Sequence, residues 1–429
     1  MITFHDVASV IAWVGFVLGL IAFVFGLIKL SYLPLAVVYE VVERRNRRRR
    51  FLTKFHENPL VSVIVPAYNE GVVLRNSVTS VLSSSYRRLE VVIVDDGSTD
   101  DTWEVMTELA GRDSRVRILR QANAGKGAAL NNGIRVSRGE VLMFVDADGV
   151  FLADTIKEML LAMDHEQVGA VCGDDRPVNL DRPLTQMLAL FSHAGCSVVR
   201  RALSFLRVLP IVSGNIGAFP KHVIEEVGGF NEHTLGEDLE LTWRIHRAGY
   251  DVRFQPLAVV HAESPSTMRA LWRQRVRWAR GLLQTMRLQK DMIGNPRYGA
   301  FGWFLVFNAI NMVAMPVILV VTLLCIPFGI AVGDMPFSLD VLSVIAWLGL
   351  GLSVATMVFA VAINHAWADL RFLWTIPLWP VFTILIAGVM FEALWKEATG
   401  SASKWNKLAR TGVLSAGACR MRLLFLLLL

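Results

Sequence analysis

Apolar and polar residues fall along this chain in two kinds of block. Uncharged apolar runs occupy Val7–Ile28, Tyr298–Gly333, Val341–Asn364 and Phe372–Phe391. Each is near or above the ~20 helical residues that cross a ~30 Å hydrocarbon layer. The second run exceeds one perpendicular crossing, so its start is expected to tilt or lie in the interface. Pro377 and Pro380 interrupt the last run, which makes a re-entrant or interfacial placement the alternative to a crossing. The Leu423–Leu429 run is too short to span.

Between these blocks, from Val61 to about Glu263, the pattern changes to that of a soluble α/β domain. Val61–Val65, Leu89–Val94, Val116–Leu119 and Val141–Val145 are short apolar runs, and helical periodicity over about Gly71–Ser84 and Trp103–Leu109 separates the first three. Such alternation predicts a parallel, doubly wound sheet whose ligands bind beyond the carboxyl ends of the strands. Thr267–Lys290 then reads as an amphipathic helix, with Met268, Leu271, Trp272, Val276, Ala279, Leu282, Leu283 and Met286 at helical spacing.

Charge fixes an orientation for this pattern. Six arginines lie within Arg44–Arg50, following the first apolar run, which suits a retained anchor better than a cleaved signal. The positive-inside rule places them and the following domain in the cytoplasm. Three further crossings would put Lys396, Lys404, Lys407 and Arg410 on the opposite side, against that rule, so the parity stays open. The chain is 54% hydrophobic with a mean hydropathy of +0.46 and a net charge of +6. Its basic residues flank apolar segments rather than forming a stripe among exposed aromatics, so phospholipid headgroups and pyrophosphate are the expected anions and nucleic acid is not. Cys172, Cys196, Cys325 and Cys419 lack ligand spacing and are expected to be reduced thiols, with no structural metal.

Candidate chemistry sits where the apolar runs stop. Asp95 and Asp96 follow the second strand, ahead of Gly97-Ser98; they are good turn formers, and the turn would aim a carboxylate at a base or ribose. Asp146-Ala147-Asp148 ends the Val141–Val145 run, and two carboxylates one residue apart can share a divalent cation that neutralises a pyrophosphate leaving group. Lys126, in a glycine-flanked loop before a helix, suits phosphate or uridine contact, with a solvated lysine as the alternative. Val212–Phe219 is glycine-spaced and lets backbone approach a sugar closely. Asp238, after Gly236-Glu237, is an ordinary N-terminal helix carboxylate when read alone. Beside the other signatures it is the candidate general base for an acceptor hydroxyl. On the basic helix, Arg277 can pair with a diphosphate, Trp278 can stack on a sugar, and Gln274 lies beside them; the alternative is a basic helix lying on the membrane face. No GxGxxG follows the first strand, so a redox dinucleotide is not indicated. Taken in order, these motifs describe a site for a nucleoside diphosphate sugar.

The D, DxD, ED and QxxRW motifs formed by Asp95-Asp96, Asp146-Ala147-Asp148, Glu237-Asp238 and Gln274–Trp278 resemble those of the processive family 2 inverting glycosyltransferases. This group includes poly-N-acetylglucosamine, chitin-oligosaccharide, hyaluronan and cellulose synthases. The resemblance implies a GT-A fold over residues 51–265, flanked by a transmembrane helix and basic segment over 1–50. An interface helix would occupy 266–297, transmembrane helices 298–395, and a tail 396–429. It further implies a UDP-sugar donor at Asp95, Asp96, Lys126, Asp146 and Arg277, and Mg²⁺ or Mn²⁺ at Asp146 and Asp148. Asp238 would be the base, and the acceptor would lie at Glu237, Gln274 and Trp278. Trp405 and Arg410 resemble a gating loop over the donor. The growing polysaccharide would leave through the membrane helices, past membrane lipid, and a small accessory membrane subunit is compatible with that step. Gly236 departs from the family's usual threonine, and Gly173-Asp174-Asp175-Arg176 precedes the catalytic position rather than following it. A single transfer to a lipid acceptor and a noncatalytic export subunit are the competing readings.

Overall fold

The continuous apolar runs of the central region form a sheet because each has to be covered on both faces. In the computed structural model, residues 3–53, 58–332, 339–401 and 412 are described. The strands are β1 (Val61–Ala67), β2 (Leu89–Asp95), β3 (Val116–Arg120), β4 (Val141–Phe144), β5 (Val150–Phe151), β6 (Val168–Pro177), β7 (Gly217–Pro220) and β8 (Asp251–Ala262). They make one 8-stranded sheet in the order β3-β2-β1-β4-β7-β6-β8-β5. β1 to β4 are parallel, as the alternation predicts.

The sheet as a whole is mixed, because the parallel strands expected from the alternation are extended by strands that also run antiparallel. β7 runs antiparallel to β4, with Gly217 opposite Phe144 and Pro220 opposite Val141. The cause is where the chain enters: the loop before β7 lies at the carboxyl end of β4, so the strand that leaves it can only run back down. β5 pairs antiparallel with β8.

Fifteen α-helices complete the described chain. The first ten are α1 (Phe4–Leu30), α2 (Tyr32–Thr53), α3 (Gly71–Leu82), α4 (Thr102–Arg112), α5 (Lys126–Val136), α6 (Thr155–Ala162), α7 (Pro183–Phe191), α8 (Val199–Phe205), α9 (Lys221–Glu226) and α10 (Glu237–Arg247). Then follow α11 (Met268–Leu288), α12 (Gly299–Ala309), α13 (Met315–Val332), α14 (Leu339–Ile363) and α15 (Trp379–Ala398). One core packs Val63, Val65, Leu74, Met106, Ile156 and Met159 against one face of the sheet. The other packs Ile64, Val92, Leu130, Phe144, Leu241 and Trp243 against the opposite face. Phe301 of α12 belongs to this second core, its ring stacked 3.7 Å from His246, so the domain and the apolar helical segment that follows it share apolar contacts.

Among the described residues, three helical stretches are long and apolar enough to cross a membrane, at Phe4–Arg47, Pro296–Ala331 and Trp367–Ala398, and Trp347–Ile363 is a shorter apolar helix. α2 also holds the domain: the Tyr39 hydroxyl donates to the Phe254 carbonyl, Arg47 pairs with Glu158, and Glu40 accepts from Arg201 Nε at 2.7 Å. α15 lies along α11. Phe382 packs in the same cluster as Leu271, Trp272 donates to Glu392, and Glu397 Oε1 accepts from Arg280 Nε at 2.6 Å. Both ends of α15 therefore sit against elements attached to the domain. Its start at Trp379 is beside Phe191, with ring centroids 6.1 Å apart. Cys172 and Cys325 are buried and Cys196 half-buried, all free thiols, while Cys419 lies outside the described residues.

A seven-residue π-helical segment, Ser192–Val198, joins α7 to α8. It starts a line of polar contacts through an otherwise apolar interface. His193 Nε2 meets Asp369 Oδ2 at 2.9 Å and its Nδ1 meets Asn364 Nδ2 at 3.2 Å. Ser197 Oγ donates to Asn364 Oδ1 at 2.9 Å and accepts from Arg201 Nη1 at 2.5 Å. Arg201 closes the line on Glu40 of α2.

Candidate active site

Because β1 to β4 are parallel, the acidic residues after them gather on one edge. Asp95 is fully buried, with Arg120 Nε 3.1 Å from its Oδ2 and the Ser98 N–H donating to Oδ1 at 2.9 Å. The turn reading of Asp95–Ser98 therefore holds, and Gly97 takes its positive φ of 77°. Asp96 is equally committed. It accepts from Gln121 Nε2 at 2.7 Å, from the Ala124 N–H at 2.8 Å and from the Gly125 N–H at 2.9 Å. Its carboxylate thus shapes the loop that delivers Lys126. A cleft of about 420 Å³ beside this loop is lined by Gln121, Ala124, Asn131 and Asn132 and contains none of the DxD or ED carboxylates.

Lys126 is the first residue of α5 and is not a solvated lysine. Its side chain is 12% exposed, with Nζ 2.6 Å from Asp146 Oδ1 and 3.6 Å from Glu237 Oε1. Burial works against its charge, but Asp146, Glu237 and Asp238 outweigh that and hold its pKa above the ordinary lysine value. Burial pushes the Glu237 carboxyl up to about 6, with Asp238 adding to the rise and Lys126 and Arg277 opposing it. Asp148 is buried and its Oδ2 accepts from the Glu263 N–H at 3.3 Å.

Asp146 and Asp148 offer hard carboxylate oxygens of the kind Mg²⁺ and Mn²⁺ take. Among the described residues no group of three or more His, Cys, Asp or Glu side chains converges on one point. The donor set therefore fits an ion that brings further ligands with it, such as a metal-bound diphosphate. Lys126 already lies against the same Asp146, ready to share an anion's charge.

The loop Ser213-Gly214-Asn215 ties these groups together. The Gly214 N–H donates to Asp238 Oδ2 at 3.2 Å, and Asn215 Oδ1 accepts from the Asp146 N–H at 3.3 Å. One residue before, Ser213 sits against Asp175, whose carboxyl burial pushes above the ordinary aspartate range, with Arg200 and the Ser213 hydroxyl opposing the rise and Asp174 adding to it. Three consecutive residues thus address two carboxylates, those of Asp175 and Asp238, and the backbone of Asp146. α10 begins at Glu237, two residues before the helical pattern becomes visible in sequence, so Glu237 and Asp238 both lie in its first turn. Asp238 Oδ1 accepts from the Leu239 N–H at 2.8 Å, leaving this half-buried carboxylate aimed from a fixed frame.

α11 reaches the site through two glycines. A Cβ on Gly281 would lie 2.8 Å from the Gly236 nitrogen, so the helix can rest on the Gly236 backbone only while position 281 lacks a side chain. Gln284 Oε1 accepts from the Leu235 N–H at 3.0 Å and fixes the same loop. Arg277 is half-buried and its charge acts on Glu237. Gln274 is half-buried, and Trp278 is 47% exposed beneath the Arg275 guanidinium, 4.5 Å from the ring centroid. Trp405 and Arg410 lie outside the described residues.

The structure thus brings together Lys126, Asp146, Glu237, Asp238 and Arg277, while Asp95 and Asp96 bond to the neighbouring turn and loop. Sequence reasoning gave Asn215 and Arg275 no role of their own within the motifs that contain them, and did not find Glu263 or Gln284. Glu263 carried a usable signal, an acid at the end of the apolar Leu257–Val260 run, by the logic that singles out Asp146.

Residues 62–228 match the model of "Glycosyl transferase family 2". A probable glycosyltransferase of Bacillus subtilis is 31% identical over 312 residues, covering 66% of this chain and 74% of that protein. A poly-β-1,6-N-acetyl-D-glucosamine synthase of Staphylococcus aureus is 30% identical over 224 residues, and the match spans 52% of this chain and 54% of the synthase. A mannosyltransferase of Pyrobaculum calidifontis, solved with GDP-Man and Mn²⁺, superposes with a TM-score of 0.59 at 22% identity, covering 86% of this chain and all of that one, which shows the GT-A fold. By sequence and by fold, this chain belongs to glycosyl transferase family 2.

Proposed function

We propose that this glycosyltransferase is membrane-bound, inverting and processive, building a β-linked polysaccharide from UDP-N-acetylglucosamine or a closely related UDP-sugar. The observation that carries the reading is the Gly214–Asn215 bridge, which holds Asp238 and Asp146 in one frame. The polymer and the donor are supported by the name and 30% identity of the staphylococcal synthase.

Asp238 would take the proton of the acceptor hydroxyl as its oxygen attacks the anomeric carbon. The bond from that carbon to the diphosphate breaks on the opposite face, giving inversion and releasing UDP. Lys126 and Arg277 would hold the diphosphate through that step. A divalent ion bound at Asp146 and Asp148 would supply further neutralisation of the leaving diphosphate.

The membrane reading rests on the apolar helices and on the arginine cluster of α2, which follows α1. The domain would lie on the cytoplasmic face of the inner, or plasma, membrane of a multi-pass protein. The contacts of α15 along α11 favour an interfacial helix there. That leaves α1, α12–α13 and α14 as the crossings and returns Lys396 to the cytoplasmic side.

The test is turnover of purified, detergent-solubilised protein on a panel of radiolabelled UDP-sugars with Mg²⁺ or Mn²⁺, sizing the product. High-molecular-weight product from one donor supports the polymerase, and a product that stops at one sugar on lipid rejects it. Asp238→Asn should lower kcat by about a thousandfold or more while UDP affinity stays within about twofold. Unchanged synthesis in that variant would remove Asp238 as the base.

A further inference from the structure

A second cleft lies where α7 of the domain meets the chain between α14 and α15. That chain, Trp367–Leu378, winds as a 3-10 helix. Residues three apart eclipse in such a helix, which sorts this one into faces. Phe372 and Ile376 are buried in one cluster with Ala189 and Leu190 of α7, and Thr375 is buried as well. Arg371 and Trp374 share a different face, and both are exposed. Together with Leu180, Gln186 and Phe372 they line a cleft of about 320 Å³.

The walls of this cleft are fixed and its charge is open. Trp374 Nε1 donates to Gln186 Oε1 at 3.2 Å, and Gln186 Nε2 donates to the Leu180 carbonyl at 3.1 Å. Arg371 has its guanidinium carbon 4.7 Å from the Phe372 ring centroid, and among the described residues no carboxylate pairs with it. The acids beside the lining residues in sequence are already held: Asp181 lies 3.6 Å from Arg182, and Asp369 lies 2.9 Å from His193. Trp367 is exposed on the same segment as Trp374. An open cation among exposed tryptophans, between two apolar helices, is the pattern of a headgroup layer, where both side chains hold an apolar base and a polar tip.

We propose that this cleft binds the phosphodiester headgroup of an anionic phospholipid in the leaflet nearest the domain. The inference rests on the membrane reading above. It holds whether α15 crosses or lies flat, because the bond from Trp374 to Gln186 keeps the segment on the domain's side in either case. The Arg371 guanidinium would meet the phosphate, and the exposed Val381, Ile384 and Leu385 of α15 offer a face for an acyl chain. Free phosphate would use the arginine but leave the tryptophans and that apolar face uncovered, so lipid is the better occupant. Bound there, the lipid would bridge α7 and the segment that leads into α15.

The experiment places the full-length protein in phosphatidylcholine nanodiscs carrying a photoactivatable phosphatidylglycerol, or a phosphatidylcholine with the same photoreactive chain. Cross-linked peptides are located by mass spectrometry. Phosphatidylglycerol should label residues 180–186 and 371–385 about fivefold more than phosphatidylcholine does. Arg371→Gln should remove about that fivefold preference, and Arg371→Lys, which keeps the charge, should restore most of it. Arg44→Gln, which deletes an exposed cation of α2, should leave labelling of the cleft within about twofold. Equal labelling by the two lipids overturns the site, and an equal fall in Arg44→Gln replaces it with general attraction to the membrane surface. Labelling that sodium phosphate displaces more strongly than sodium chloride of the same ionic strength overturns lipid as the occupant. Protein that stays in solution without detergent and does not enter nanodiscs rejects the membrane reading itself, and the site falls with it.

Discussion

Glu237 is a carboxylate whose surroundings disfavour its charge. Its folded pKa is about 6 against an ordinary 4.5, so the folded state binds the proton more tightly than the unfolded one. The stabilisation from this protonation is complete below about pH 4.5 and is lost as the pH rises through about 6. At neutral pH the ionised group therefore costs on the order of 2 kcal/mol, with burial as the main cause. Glu237→Gln should melt at a higher temperature than wild type at pH 7.5 and at the same temperature near pH 4.5, as read by thermal unfolding in detergent. An offset of equal size at both pH values would show that the charge is not the reason. At this scale the sequence was most legible where chemistry coincides with an element boundary. Asp146 ends a strand and Asp238 starts a helix, so neighbouring residues alone expose them. Lys126 and Asp96 were harder to read because their partners lie 20 to 111 residues away, at Asp146 and Glu237 for the lysine and at Gln121–Gly125 for the carboxylate.

At the level of elements, α11 is held on the site by contact between two backbones. Gly281→Ala improves intrinsic helix propensity by up to about 1 kcal/mol. It also drives a methyl group to 2.8 Å from the Gly236 nitrogen, and overpacking of this kind costs about 1–3 kcal/mol. The helix should stay folded but lift from the Gly236–Asp238 turn. The expected result is a fall in kcat of about tenfold or more with unchanged helical circular dichroism; full activity in the variant would mean that the contact has slack. Gly236 in place of the family's usual threonine is the other half of that contact. The four parallel strands and the basic helix could be read from periodicity because each is long and locally consistent. β7 could not: four residues following a glycine-rich loop carry no period, and their direction is set by Asn215 reaching Asp146. The π-helical turn was likewise invisible, since its residues fit an α-helix and only the contacts of His193 and Ser197 reveal the extra residue.

For the whole molecule, hydropathy found every apolar block but left their parity open, because length and composition do not distinguish a crossing from a helix lying along α11. The ion pair of Glu397 with Arg280 favours the second arrangement, the one taken in the proposed topology. A single cysteine introduced as Ser401→Cys, with the native cysteines replaced, should react with an impermeant maleimide in inverted membrane vesicles and not in intact spheroplasts. Labelling of spheroplasts alone would make α15 a crossing. The line of polar side chains from Asp369 through His193, Asn364, Ser197 and Arg201 to Glu40 runs between both membrane ends and the domain. Apolar faces slide over one another at little cost, whereas a shift of a few ångströms would leave Arg201, 3% exposed, without its carboxylate, a loss of about 3–5 kcal/mol. The domain is in effect pinned against rotation over the spans. If the protein is the polymerase proposed above, it is the stator, and the sugar chain is the part that has to move.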